Sequence, residues 1–166
     1  MDADVVKFTV IGTPASQGSK TAYVRGGRAV IVDGSSKAGR DKHATWRSQV
    51  ANEARVVAER RGEPFSGPCA VNLDFFFPLP ARDPHRYYHA VPVDVDKAIR
   101  SVLDSLVNAG LVVDDSLVSV VKAAKFYARD GHWTGVGVTI TDLSSDEARE
   151  RGRSKEQAKA AKKSRA

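Results

Sequence analysis

Residues 94–115 read DVDKAIRSVLDSLVNAGLVVDD, and the reading of this stretch decides the fold. Ile99, Val102, Leu103, Leu106 and Val107 recur at i, i+3, i+4, i+7 and i+8. That period predicts an amphipathic helix over Asp96–Ala109, with Gly110 as its terminator. Acidic pairs bracket the helix: Asp94 and Asp96 at its start, Asp114 and Asp115 beyond its end. A helix of this length holds its ends about 20 Å apart. Whether the pairs meet depends on sheet geometry.

Working outward, Ala70–Phe77 (AVNLDFFF) places Val71, Leu73, Phe75 and Phe77 on one face and predicts a strand ended by Pro78. Leu117–Ala128 and His132–Thr141 predict two strands joined through Asp130-Gly131. Val5–Ile11 is β-branched and alternating and stops at Gly12-Thr13-Pro14. Tyr23–Arg25 and Arg28–Val32 flank Gly26-Gly27, a hairpin signal. Trp46, Val50, Ala54 and Val57 form one stripe of a helix over about Asp41–Arg60, with Trp46 as core. Gly62 and Pro64 stop that helix. Pro78–Val93 holds four prolines and reads as an irregular loop, a length that in a small domain signals function or mobility.

The order β, hairpin, α, β, α, β, β predicts an α+β single domain over residues 1–143: a small mixed β-sheet with two helices packed on one face. Residues 144–166 form a basic Ala/Lys/Arg-rich tail, helical or disordered, with no apolar stripe.

The full chain has 166 residues, 42% apolar and 28% charged, which fits a soluble globular protein. It has no apolar run near the roughly 20 residues of a membrane span, and Met1-Asp2-Ala3-Asp4 lacks the pattern of a signal peptide. Cys69 is the only cysteine, so an internal disulfide and a cysteine zinc cluster are excluded. These features predict a cytoplasmic protein with no membrane partner. The net charge of +6 suggests an anionic partner, but eight cations and four acids of the tail account for most of it. The chain has no Walker loop, nucleophile elbow or dinucleotide glycine pattern, so no nucleotide cofactor is expected. His85 and His89 lie four apart in the proline-rich loop, without zinc-like partners.

The acidic pairs have two readings. Asp before a helix is a common N-cap, and Asp-Asp before a strand is a common turn. A helix needs only one cap, however. Asp94 and Asp96, spaced i, i+2 in an extended segment, point to one side and suit a shared hard cation such as Mg²⁺. Arg100 shares a helix face with Asp96 and Asp104. It is either half of an ordinary i, i+4 ion pair or a fixed cation for a phosphate.

The string from Asp94 to Leu106, then Gly110 to Asp115, then Lys125, resembles the RusA-type Holliday junction resolvases of phages and prophages. Those carry Asp-x-Asp-Asn-x-x-Lys at a helix start, then Gly…Asp-Asp and a lysine on the next strand. The resemblance implies a homodimeric, Mg²⁺-dependent endonuclease, with Mn²⁺ able to substitute, that nicks a four-way DNA junction symmetrically. It works in the host cytoplasm if phage-encoded. By position, Asp94, Asp96 and Asp115 are the metal ligands and catalytic carboxylates, with Asp114 their neighbour. Arg100 takes the place of the family's active-site lysine, Lys97 replaces its asparagine, and Lys125 matches its later lysine. Arginine keeps the charge but cannot lose a proton, so Arg100 is a clamp rather than a base. Lys20, Arg25, Arg28, Lys37, Arg40 and Lys42, with Arg82 and Arg86 of the loop, are candidate contacts to DNA phosphates. Tyr87 and Tyr88 are candidates for stacking on unpaired bases. Rival functions are a non-catalytic branched-DNA-binding protein and a nuclease of flaps or forks.

Overall fold

The computed structural model describes residues 4–16, 20–33, 36–83 and 85–145. The chain runs through β1 (Val5–Ile11), β2 (Lys20–Arg25), β3 (Arg28–Asp33), α1 (Lys37–Arg61), β4 (Cys69–Phe77), α2 (Val95–Asn108), a single 3₁₀ turn (Asp115–Leu117), β5 (Val118–Tyr127) and β6 (Gly135–Asp142). Four strands make one sheet in the order β1-β6-β4-β5, and β2 and β3 form a separate two-stranded sheet. β4 is parallel to β5 and antiparallel to β6, so the sheet is mixed, as expected.

The alternation of β4 explains the layering. Cys69, Val71, Leu73, Phe75 and Phe77 are buried, while Asn72 and Asp74 face solvent, so one face of the sheet is dry. Val136, Val138 and Ile140 of β6 join the same face. Trp46, Val50 and Ala54 of α1 and Ala98, Val102 and Leu106 of α2 complete a single core against it. The α+β reading with two helices on one face therefore holds.

α1 begins at Lys37, a turn earlier than its apolar stripe suggests. The Ser36 hydroxyl accepts from Gly39 N at 3.2 Å and caps it. The added turn is exposed, and an exposed turn has no apolar residues to betray it. Gly135 is required where β6 meets β1. Its φ of 143° is open chiefly to glycine, and a Cβ there would collide with the Val10 carbonyl oxygen.

Because β4 and β5 are parallel neighbours, α2 is their crossover helix. The register pairs Cys69 with Val118 at one end of the sheet and Phe77 with Tyr127 at the other. α2 runs back between these ends, starting near Tyr127 and finishing near Val118. The proline-rich segment is less irregular than expected. His89 N donates to Lys125 O at 3.0 Å and Tyr127 N to Tyr87 O at 2.9 Å, so residues 87–89 cover the edge of β5. Most of the basic tail, residues 146–166, lies outside the described residues, as does its expected helical or disordered state.

Candidate active site

Asp94 occupies the N-cap position of α2 in extended conformation, with φ −63° and ψ 137°, yet its side chain caps nothing. The carboxylate meets Lys97 Nζ at 2.7 Å. That hydrogen bond and the ammonium charge hold the Asp94 carboxyl below the usual carboxylate range, with a smaller effect from Lys125. The same pairing raises Lys97. Asp96 lies within the first helical turn rather than in an extended segment, so helix geometry sets its direction. Both carboxylates are exposed.

Lys125 projects from β5 to this end of the sheet, where its Nζ donates to Val93 O at 2.6 Å and ties down the residue preceding Asp94. Arg100 is exposed one turn further along α2. Among the described residues it makes no ion pair with Asp96 or Asp104. Asp104 pairs instead with Arg47 at 3.9 Å. Of the two readings of Arg100, the i, i+4 ion pair is therefore not seen among the described residues.

The other acidic pair behaves differently. Asp114 accepts from Ser116 N at 2.8 Å and caps the 3₁₀ turn. Hydrogen bonding from the Ser116 side chain, and then from its backbone N–H, lowers the Asp114 carboxyl below the usual carboxylate range. The capping reading thus holds for Asp114 and not for Asp94. Asp115 is exposed and, with Asp114, Asp104, Asn108 and Arg47, lines a depression of about 230 Å³. Among the described residues no three His, Cys, Asp or Glu side chains converge to hold a metal ion. Asp94 and Asp96 stand at the start of α2, whereas Asp115 shares its depression with Asp104 and Asn108 toward the other end; the 14-residue helix itself is about 20 Å long.

Of the candidate DNA contacts, Arg25 and Arg28 face each other across the β2–β3 turn, both exposed. Lys37, Arg40 and Lys42 are exposed on the first turns of α1, and Arg82 is exposed in the loop. Arg86 is exposed but paired with Asp83 at 2.6 Å. The side chain of Lys20 lies outside the described ones. Tyr87 and Tyr88 are 53% and 66% exposed and pack on Phe126. Phe126 stacks on Phe76, and Phe76 touches His132 and Trp133. This aromatic run lies on the side of the sheet away from the helices, since Phe76 alternates with buried Phe75 and Phe77.

The sequence places His89 in the proline-rich loop but does not announce its burial. Its ring is buried, stacked on Phe77 with centroids 3.8 Å apart, and among the described residues its Nδ1 has no hydrogen-bond partner. Burial, then the Lys125 charge, pushes its pKa below the ordinary histidine value. A lone histidine in a proline-rich stretch carries no periodicity, so no sequence signal announces its burial.

The family described as "Endodeoxyribonuclease RusA" matches residues 18–141, three quarters of the chain. The chain belongs to the RusA endodeoxyribonuclease family. The matched span contains both acidic pairs, Arg100 and Lys125. RusA-type enzymes are Holliday junction resolvases: endodeoxyribonucleases that act on branched DNA and generally depend on a divalent metal. The chain is also 27% identical over 154 residues to "Uncharacterized protein YqaN" of Bacillus subtilis (strain 168), across 86% of this chain and 99% of that protein. No helix among the described residues is long and apolar enough to cross a membrane.

Proposed function

We propose that this RusA-family chain is a Mg²⁺-dependent four-way junction resolvase that acts as a homodimer and nicks opposite strands symmetrically. The observation that carries the reading is Asp94. It stands where a helix cap belongs, caps nothing, and presents an exposed carboxylate that a cation already engages. Carboxylate oxygens suit a hard divalent ion. Asp94 and Asp96 offer such donors, and Asp115 is the third, but within one chain it stands beside Asp104 and Asn108, toward the far end of α2. The donor set therefore closes only between two chains. A two-fold axis would bring each chain's Asp115 to the other's Asp94 and Asp96, creating two equal sites for two opposed strands. Mg²⁺, or Mn²⁺, held there supplies a more acidic water and neutralises phosphate charge.

The chain's own residues do the remainder. Lys97 keeps the Asp94 carboxyl ionised and gives way when the site is loaded. Lys125 pins the Val93 carbonyl and so fixes the entry to α2. Arg100, permanently protonated, grips the scissile phosphate and stabilises charge as it builds. The exposed cations of the β2–β3 turn, the start of α1 and the loop contact the arms, and Tyr87 and Tyr88 stack on bases opened at the crossover. Residues 1–143 are the nuclease domain and 144–166 a basic arm, in a cytoplasmic protein of phage or prophage origin.

The test is cleavage of an end-labelled, immobile four-way junction with Mg²⁺, with EDTA, and against matched linear duplex, beside Asp96→Asn. Paired symmetric nicks that need Mg²⁺ and vanish in the variant are expected. Tight junction binding without cutting would favour a non-catalytic binding protein. Preferential cutting of flaps or forks would change the target.

A further inference from the structure

A cavity of about 870 Å³ opens between the Gly12–Ser16 loop, the first half of α1 and the segment Pro92–Val93. Its inner wall is aromatic: Trp46, Phe77 and His89. Trp46 is 1% and His89 7% exposed, yet among the described residues Trp46 Nε1 and His89 Nδ1 have no hydrogen-bond partner. Buried polar atoms in folded proteins are nearly always paired, so two orphans carried by residues of one cavity wall point to a ligand that supplies the partners. Among the described residues the rim carries Asp41 and Lys42 beside Thr45 and Gln49. Gln49 packs closely against Gly12, where an added Cβ would collide with its Oε1.

These walls select a ligand class. Among the described lining residues one cation is balanced by one carboxylate, whereas a phosphate site needs surplus positive charge. Flat aromatic walls suit a flat ring. Trp46 Nε1 can only donate, Asp41 only accept, and Gln49 can do both, which matches the mixed edge of a nucleobase. The volume leaves room for the base and its sugar. The site is also in the right place, because Val93 of its rim precedes Asp94 directly and accepts the hydrogen bond of Lys125.

We propose that this cavity captures one base extruded from the DNA strand beside the crossover, and that Trp46 and Gln49 read that base. The proposal rests on the junction-resolvase reading and deepens it. Extruding a base costs its stacking and pairing, and the cost is least where both are already broken. A pocket that must be filled before the strand reaches Asp94 would therefore favour a junction over a linear duplex, and one base over another.

The experiment places 5-iododeoxyuridine at each position flanking the crossover in turn. The junction is bound to the full Asp96→Asn chain and irradiated. Gel shift reports binding, and mass spectrometry maps the crosslinked peptide. One position should crosslink to Trp46 or His89, in the junction and not in matched duplex. With the cutting-competent chain, Gln49→Ala should narrow the spread of cutting rates among junctions differing at that position by about tenfold, the loss of one ordinary hydrogen bond. Trp46→Phe, which keeps the ring and removes the donor, should do the same if its melting curve shows that it folds. Gln49 lies on the rim, so its variant serves if Trp46→Phe does not fold. A bound junction that crosslinks only to Tyr87 or Tyr88, or nowhere, overturns the pocket and leaves the resolvase reading standing. An unchanged rate spread in Gln49→Ala does the same. Failure to bind any junction overturns both.

Discussion

Mixing an Asp96→Asn chain with an Asp115→Asn chain tests the shared site more sharply than either variant alone. α2 is 14 residues long, so its two ends lie about 20 Å apart, whereas a Mg²⁺–carboxylate bond is about 2 Å. No side-chain rotation within one chain closes that gap. In a homodimer with shared sites, each variant alone has both sites damaged. Subunits exchanged at equal amounts form half heterodimers, in which one site carries both substitutions and the other carries none. Nicking should return to about a quarter of the wild-type rate, and to about half in purified heterodimer. Because only one site is intact, the nicks should be single rather than paired. The assay is cleavage of an end-labelled junction by chains carrying two different affinity tags, which lets the heterodimer be isolated. A verified heterodimer with no recovered activity would falsify the shared site.

Lys97→Asn removes the ammonium that engages Asp94 at 2.7 Å. The Asp94 carboxyl should then rise toward its ordinary value in an NMR titration, and half-maximal cutting should need less Mg²⁺; a higher requirement would refute competition. Arg100→Ala should lower kcat by about 10²–10³-fold with little change in junction affinity, while Arg100→Lys retains most of the rate; equal losses in both would point to the guanidinium shape rather than its charge. Leu106→Ala empties a fully buried position of the core and should cost about 2–5 kcal/mol in denaturant unfolding; a loss under about 1 kcal/mol would mean the core is looser than described. His89 is held neutral by burial and by Lys125, below the ordinary 6.5. As pH falls below 6.5 the unfolded chain takes up the proton first, so stability should decline until His89 protonates in the fold. His89→Phe should flatten that part of the melting-temperature profile, and an unaltered slope would remove His89 as its source.

Periodicity in the chain determined the elements that pack. Trp46, Val50 and Ala54 on one helix, Ile99 to Val107 on the other, and alternate residues of β4 each repeat at the spacing of their own backbone, because burial selects one face. The acidic string with Arg100 and Lys125 was equally legible, since the family spacing is local in sequence. Tertiary structure decided the rest. Parallel pairing of β4 with β5 makes α2 a crossover, and this alone sends Asp94 and Asp115 to opposite ends of the sheet. Cap geometry separated two aspartates of identical composition: Asp114 bonds Ser116 N, while Asp94 turns to Lys97. The cavity holding Trp46 and His89 joins a helix residue to a loop residue 43 positions later. No local pattern encodes such a meeting, because side chains distant in sequence are brought together only by the packing of the elements between them.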